Sequence, residues 1–464
     1  MTDPAACDLL LTGGSVVTVD DAGNVFEPGA VAIAGDRIVA VGPADDLAAF
    51  RPARRIDCTG RAVMPGFVDC HNHLFQFVAR GLGEGMGLWS WLSEFMWPLS
   101  TTITRDESVA AVRVAALEAA RSGTTAIVDN HYAPADLDST LAVAEAIEEV
   151  GLRGAVARGM TGAVTDMARE LNLERGMFPY SLADELAITL EAIEARRGHP
   201  VVVWPAPLNI IYVAQELIRA AVELAHELGT GWHAHCCEFH TDPVTYPKHY
   251  GRRAVDWLFE EGLLGRGATL AHMIFLSDRE VERVGETETG VAYCPVSHEY
   301  IGLGVMRLRY LRDAGAVVGL GYDGCCGHRQ DMFEQMKQAI LLQRVETLDP
   351  TVSHAEEALA MATREGARYL GVDAGVLAPG KLADVVVVDI RGPHTTPRHR
   401  TVANLVYSAR GSDVEMTIVG GEVIVEGGRS TRVDEEEVRA RAQAKADELI
   451  VRCGLDELRI AWRR

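Results

Sequence analysis

Eight times between residues 63 and 322, a short apolar run gives way to a longer amphipathic segment. The runs fall at 63–70, 125–130, 154–158, 201–205, 231–236, 268–272, 290–294 and 317–322. Helical patterns lie between them at 105–122, 136–149, 182–197, 214–228, 252–261, 278–287 and 306–314. Few folds accept that rhythm. A strand–helix unit repeated eight times predicts an α/β chain whose parallel strands close into a (β/α)8 TIM barrel. An open doubly wound sheet is the other home for such units. It calls for a G-x-G-x-x-G turn after the first strand, where this chain has His71-Asn-His73.

At 464 residues the chain is long enough for a barrel and an appended domain. Both flanks of the barrel region read as β. Residues 9–19, 31–41 and 54–58 are short β-branched runs broken by Gly-Gly, Gly-Asp and Gly-Pro, and 383–389, 401–407, 414–419 and 422–426 have the same texture. The expectation is one small β-sandwich built from both chain ends, with two separate β-modules as the alternative. The expected division is 1–64 for its N-terminal part, 65–375 for the barrel, 376–430 for its C-terminal part and 431–464 for a charged, Ala-rich final helix. Residues 331–371 carry two further helices.

A formal net charge of -22 argues against nucleic acid or an anionic membrane surface as partner. The nine cysteines form no C-x-x-C pattern and suggest no disulfide framework, which fits a reducing cytoplasm. No basic, apolar leader opens the chain, and no run of about 18 uncharged apolar residues occurs. A cytoplasmic protein assembled as a homodimer or larger homo-oligomer is expected.

Chemistry gathers where the runs end, which in a barrel is the face that binds ligands. The first run ends in His71 and His73, and the fifth holds His233 and His235. Residues two apart on a strand share a face, so each pair aims its imidazoles together. The sixth run ends in His272, and the eighth leads into Asp323. Three histidines and an aspartate suit one first-row divalent metal, zinc before iron, with a position left for water. Such a metal lowers the pKa of water to about 7, and a neighbouring carboxylate can carry the proton to a leaving group. Glu238, three residues past His235, is the candidate, against the plainer reading of a solvated loop acid.

These residues carry a resemblance. Pro65-Gly-Phe-Val-Asp-x-His-x-His73, His235-x-x-Glu238, His272, Gly321-x-Asp323-Gly and the return through Gly375 to Asp389 resemble the motifs of the amidohydrolase superfamily. The segment 88–99, with its tryptophans, is similar to the aminohydrolase branch. That branch includes S-adenosylhomocysteine and methylthioadenosine deaminases, guanine-type deaminases and triazine hydrolases. The resemblance implies His71, His73, His235 and Asp323 as ligands of one metal, and Glu238 as proton shuttle. It also implies that His272 contacts the attacking water or the substrate, and that Asp323 helps orient that water. The carboxylated lysine of two-metal members has no counterpart in 201–207, so a single metal is expected. Two loops depart from the branch: Pro295-Val-Ser-His298 stands where Pro-x-Ser-Asn is usual, and Gly324-Cys-Cys-Gly-His328 follows the aspartate.

For the pocket, Trp89 is the expected stacking platform, in preference to Trp97, and Arg158, His298, His328 and the pair His131-Tyr132 are expected at the rim. Cysteines 236, 237, 294, 325 and 326 are read as small buried apolar residues. The expected function is hydrolytic deamination of an aminated N-heterocycle, such as a purine, pterin, pyrimidine or triazine. The alternatives are an s-triazine chlorohydrolase or alkylaminohydrolase using the same site and, more distantly, an inactive scaffold.

Overall fold

The computed structural model describes residues 6–173 and 176–459. Four parallel strands, Phe67–Asn72, Thr124–His131, Arg153–Met160 and Val201–Pro207, pair in chain order. So do Trp232–Cys236, Ala268–His272, Gly290–Tyr293 and Val317–Leu320. Parallel bridges join the two quartets, Asn209 to His235 at one seam and Asn72 to Asp323 at the other. The ring therefore closes at its C-terminal rim, through the residues that the motifs single out. All seven expected helices form, with ends within two residues of expectation. Several begin at reciprocal caps. Thr104 and Glu107 each accept from the other's backbone N–H, as do Ser181 with Asp184 and Ser277 with Glu280, each cap worth about 1 kcal/mol.

Strand alternation builds the barrel wall. Val68, Ala126, Val128, Ala155, Ala157 and Ala271 fill the interior, and Ile127, Val156, Leu270 and Val291 face the surrounding helices. Small interior residues leave room above them for the larger polar side chains of the rim.

Two expectations need correction. The run at 63–70 is two strands: Arg61–Pro65 belongs to the terminal sheet and Phe67–Asn72 to the barrel. The chain crosses between layers at Gly66, where a Cβ would lie 2.2 Å from the Thr125 side chain, so only glycine passes. Residues 401–407 form a helix, Thr401–Ser408, not a strand. Val402, Leu405 and Val406 sit at i, i+3 and i+4, a spacing that a short apolar run shares with a strand pattern; Leu405 and Val406 are buried.

The chain ends do meet. A nine-stranded sheet runs unbroken from N-terminal to C-terminal strands through the antiparallel pair Arg61–Pro65 and Val385–Asp389, with Val63 opposite Val387. Leu9, Leu11, Val31, Val385 and Ile418 share one core within it. The last helix, Glu435–Arg452, buries Leu449 and Ile450 and pairs Arg452 with Glu107 of the helix Arg105–Arg121. Among the described residues, no helix is long and apolar enough to cross a membrane.

Candidate active site

The first barrel strand does not reach the rim in plain alternation. Val68 and Cys70 point into the barrel, which would send Asn72 inward and the histidines out. Pairing with the second strand shifts by one residue between Asp69 and Asn72. This bulge turns His71 and His73 inward and leaves Asn72 outside, where its amide donates to Asp69 and Gln330 at 2.6 and 2.7 Å. The fifth strand keeps an unbroken register with the sixth, so His233 and His235 stand one layer apart on the inner face. By alternation from Ala271, His272 would point outward; its left-handed backbone, φ +75, swings it over the rim instead. Asp323 likewise has φ +64.

The donor atoms of His71, His73 and His235 lie within 4.8 Å of one another, and so do those of His71, His272 and Asp323. His73 Nε2 is 3.1 Å from His235 Nε2, and Asp323 Oδ1 is 3.5 and 3.6 Å from the Nε2 atoms of His71 and His73. Each ring is anchored from behind. His73 Nδ1 donates to the Asn130 carbonyl at 2.7 Å, and His235 Nδ1 to that of Leu208 at 2.5 Å. A carbonyl only accepts, so both Nδ1 atoms carry the proton and both Nε2 lone pairs face the centre. Burial holds His71 well below the usual imidazole range, His73 also low, and His235 at about 4, so all three stay neutral at pH 7. His71 Nε2 is buried without a hydrogen-bond partner. Burial works against the Asp323 charge, but the surrounding imidazoles of His71, His272 and His73 hold its carboxyl well below the usual range. Converging lone pairs beside an ionised carboxylate fit a divalent cation.

Glu238 is 7% exposed, with Oε1 3.7 Å from His272 Nε2. Burial, then the charges of Asp323 and Asp242, push its carboxyl well above the ordinary range. Together with His73, His235, His272 and Asp323 it lines a cavity of about 40 Å³, walled on the apolar side by Leu88, Trp91, Trp97, Tyr132 and Ile301.

The expected pocket residues fare differently from the donor set. Ala126 and Val128 point inward, so His131 points out, meeting Phe75 edge to face and donating to the Pro134 carbonyl at 2.9 Å. The same parity turns Arg158 outward onto Glu185 and Thr189, at 2.7 and 2.9 Å. Neither reaches the cavity. Trp89 lies against Phe239 outside the lining, because the segment Leu88–Ser100 is helical and Leu88, Trp91 and Leu92 share its inner face. Trp97, expected to be ordinary packing, does line the cavity while its Nε1 donates to the Leu173 carbonyl. His298 stands behind His272, with its Nε2 3.1 Å from His272 Nδ1, and His328 packs on Tyr300. The cysteines of the described residues are free, and all but Cys453 are buried.

A protein-family model described as "Amidohydrolase family" matches residues 62–424. The chain belongs to the amidohydrolase family. Its relatives within that family include the 5-methylthioadenosine/S-adenosylhomocysteine deaminase of Pelotomaculum thermopropionicum, 34% identical over 96% of this chain and 99% of that protein. The 5'-deoxyadenosine deaminase of Methanosarcina mazei is 31% identical over 96% and 99%. Among solved structures, an adenosine deaminase from Xanthomonas campestris with bound zinc matches at TM-score 0.89 and 28% identity, over 97% of this chain and all (100%) of that one. An atrazine chlorohydrolase from Arthrobacter aurescens, complexed with zinc, matches at TM-score 0.84 and 24% identity over 94% and 100%, a likeness of fold. The chain is thus a hydrolase of the amidohydrolase family, and its rim gathers every donor that the sequence motifs nominate. Three residues of this amidohydrolase went unassigned in the sequence: His233, Thr269 and Tyr369, which stack beneath His71. Only the second His-x-His pair hinted at the first of them.

Proposed function

We propose that the protein is a mononuclear, metal-dependent deaminase that replaces the amino group of an N-heterocycle with oxygen from water. His71, His73, His235 and Asp323 hold the metal in this reading. A bound divalent cation supplies water acidified to a pKa of about 7 and a Lewis acid at the reacting carbon. The remaining work falls to the chain's own side chains. The carbonyls of Asn130 and Leu208 keep His73 and His235 in one tautomer and one orientation. Glu238 accepts a proton from the attacking water and returns it to the departing nitrogen, so that R–NH2 and water leave as R–OH and ammonia. Its raised pKa brings it toward the working pH, where one carboxyl can both accept and donate. His272, held through Nδ1 by His298, faces Glu238 across the cavity and is placed to hydrogen-bond the attacked oxygen.

The observation that carries the reading is the convergence of four strand ends on one buried donor set, with a protonatable carboxyl beside it. The names of the full-length relatives support adenosine-type substrates, and the aromatic wall formed by Trp91, Trp97 and Tyr132 supports a planar ring. A cavity of about 40 Å³ is far smaller than the few hundred Å³ that ligand sites occupy, so the lining must open to admit substrate. Ammonia release from zinc-loaded protein, screened over aminated purines, pterins, pyrimidines and triazines, tests the reading. Turnover of at least one is expected. Release of chloride from halogenated triazines, with no ammonia from any compound, would replace deamination by dehalogenation at the same site.

A further inference from the structure

We propose that His233 and Thr269 are positioning residues that hold His71 in the tautomer whose bare Nε2 faces the donor set. The inference rests on the metal-dependent reading above.

The three side chains form a stack through the barrel axis. His233 and Thr269 lie directly opposite each other on paired strands. Thr269 has one hydroxyl proton, and it donates that proton to the Trp232 carbonyl at 2.7 Å. Toward His233 Nδ1, 3.0 Å away, the same oxygen can then only accept. His233 Nδ1 therefore carries its proton, and Nε2 of a neutral imidazole is left bare. That nitrogen lies 2.8 Å from His71 Nδ1 and accepts its proton. His71 Nε2 is thereby stripped of hydrogen, and it is the buried nitrogen with no hydrogen-bond partner, 3.5 Å from Asp323. One threonine proton propagates through two rings to the metal-facing atom.

Among the described residues, Tyr369 is the one neighbour on this path able to reverse it. Its hydroxyl lies 3.2 Å from the same His233 Nδ1. Donation from tyrosine to that nitrogen would move the proton to His233 Nε2 and in turn to His71 Nε2, making the metal-facing atom a donor. The Thr269 lone pair opposes that state, because it would face a second lone pair at 3.0 Å. The other two histidines need no such arrangement. Backbone carbonyls fix His73 and His235, whereas His71 depends on side chains, and so its tautomer can be changed by mutation.

Four substitutions in the zinc-loaded protein test this. His233→Gln keeps an acceptor in reach of His71 Nδ1, and His233→Phe keeps the ring without one. Thr269→Val removes the hydroxyl at constant shape, and Thr269→Ser keeps it. The readouts are the rate of zinc release into excess chelator and the visible spectrum of the Co2+-substituted protein, with thermal unfolding as control. His233→Phe and Thr269→Val should release zinc about 10- to 100-fold faster and shift the Co2+ bands, while the Gln and Ser variants stay close to wild type. Wild-type release and spectra in the Phe and Val variants would overturn the inference. So would faster release in all four that tracks lost thermal stability. If His233→Phe does not fold, the Thr269 pair decides alone. A wild-type protein that takes up no divalent metal would overturn both this inference and the reading beneath it, whereas normal uptake with unaltered variants overturns only this one.

Discussion

Two strands of the barrel end in the same pattern, His71-Asn-His73 and His233-Ala-His235, and use it differently. In the first, a bulge brings both rings to the rim, where both face Asp323. In the fifth the register is unbroken, so His235 reaches the rim and His233 remains a layer below, against His71 and Thr269. Equal spacing guarantees a shared face, not a shared depth or role. Depth is set by the backbone, and one extra residue in a strand decides it.

The largest effect should separate the two histidines of the fifth strand. His235→Ala should abolish zinc uptake and lower kcat/KM by at least about 1000-fold, as the loss of any member of an interdependent set does. His233→Ala should leave zinc bound, though more loosely. Equal metal content in the two variants, measured by elemental analysis, would erase the contrast. Next in size is what the fifth strand offers beyond its histidines. Glu238→Gln should cost about 100- to 10,000-fold in kcat with metal content unchanged. Loss of metal in that variant would make Glu238 a ligand instead of a proton carrier.

The smallest effect concerns what backs the first strand. The backbone N–H of Leu74 donates at 2.8 Å to Asp129, a carboxyl that burial pushes up to about 7. A folded pKa above the unfolded one means stability that is full below pH 4 and lost as pH rises through 7. Asp129→Asn should therefore raise the unfolding temperature more at pH 8 than at pH 5, by about 1–3 kcal/mol in stability. An equal change at both pH values would show that the carboxyl is not neutral in the fold.

What could be read from the sequence divides along the same line. The donor set was legible because each member ends an apolar run, and strand ends are where a barrel binds. Arg158 and His131 were legible in principle: alternation from Ala157 and Val128 turns both outward, and counting parity would have removed them from the pocket. The bulge before Asn72 and the left-handed turns at His272 and Asp323 were not legible, since no residue type there demands them. Trp91 stayed hidden because residues 88–100 are helical, and a helix presents every third or fourth residue. The helix Thr401–Ser408 was lost to an ambiguity of length, eight residues being within the range of either element.

The pairing of Arg61–Pro65 with Val385–Asp389 also has a consequence for how the protein is made. More than 300 residues separate these neighbours, and the strand that delivers His71 and His73 begins directly after the first of them. On the ribosome, the first barrel strand emerges long before the segment against which its anchor folds has been synthesised. Until Val385–Asp389 is made, Arg61–Pro65 has only the N-terminal strand Ala6–Val17 to pair with. A nascent chain stalled before Val385 would have all eight barrel strands, with one side of Arg61–Pro65 still unpaired.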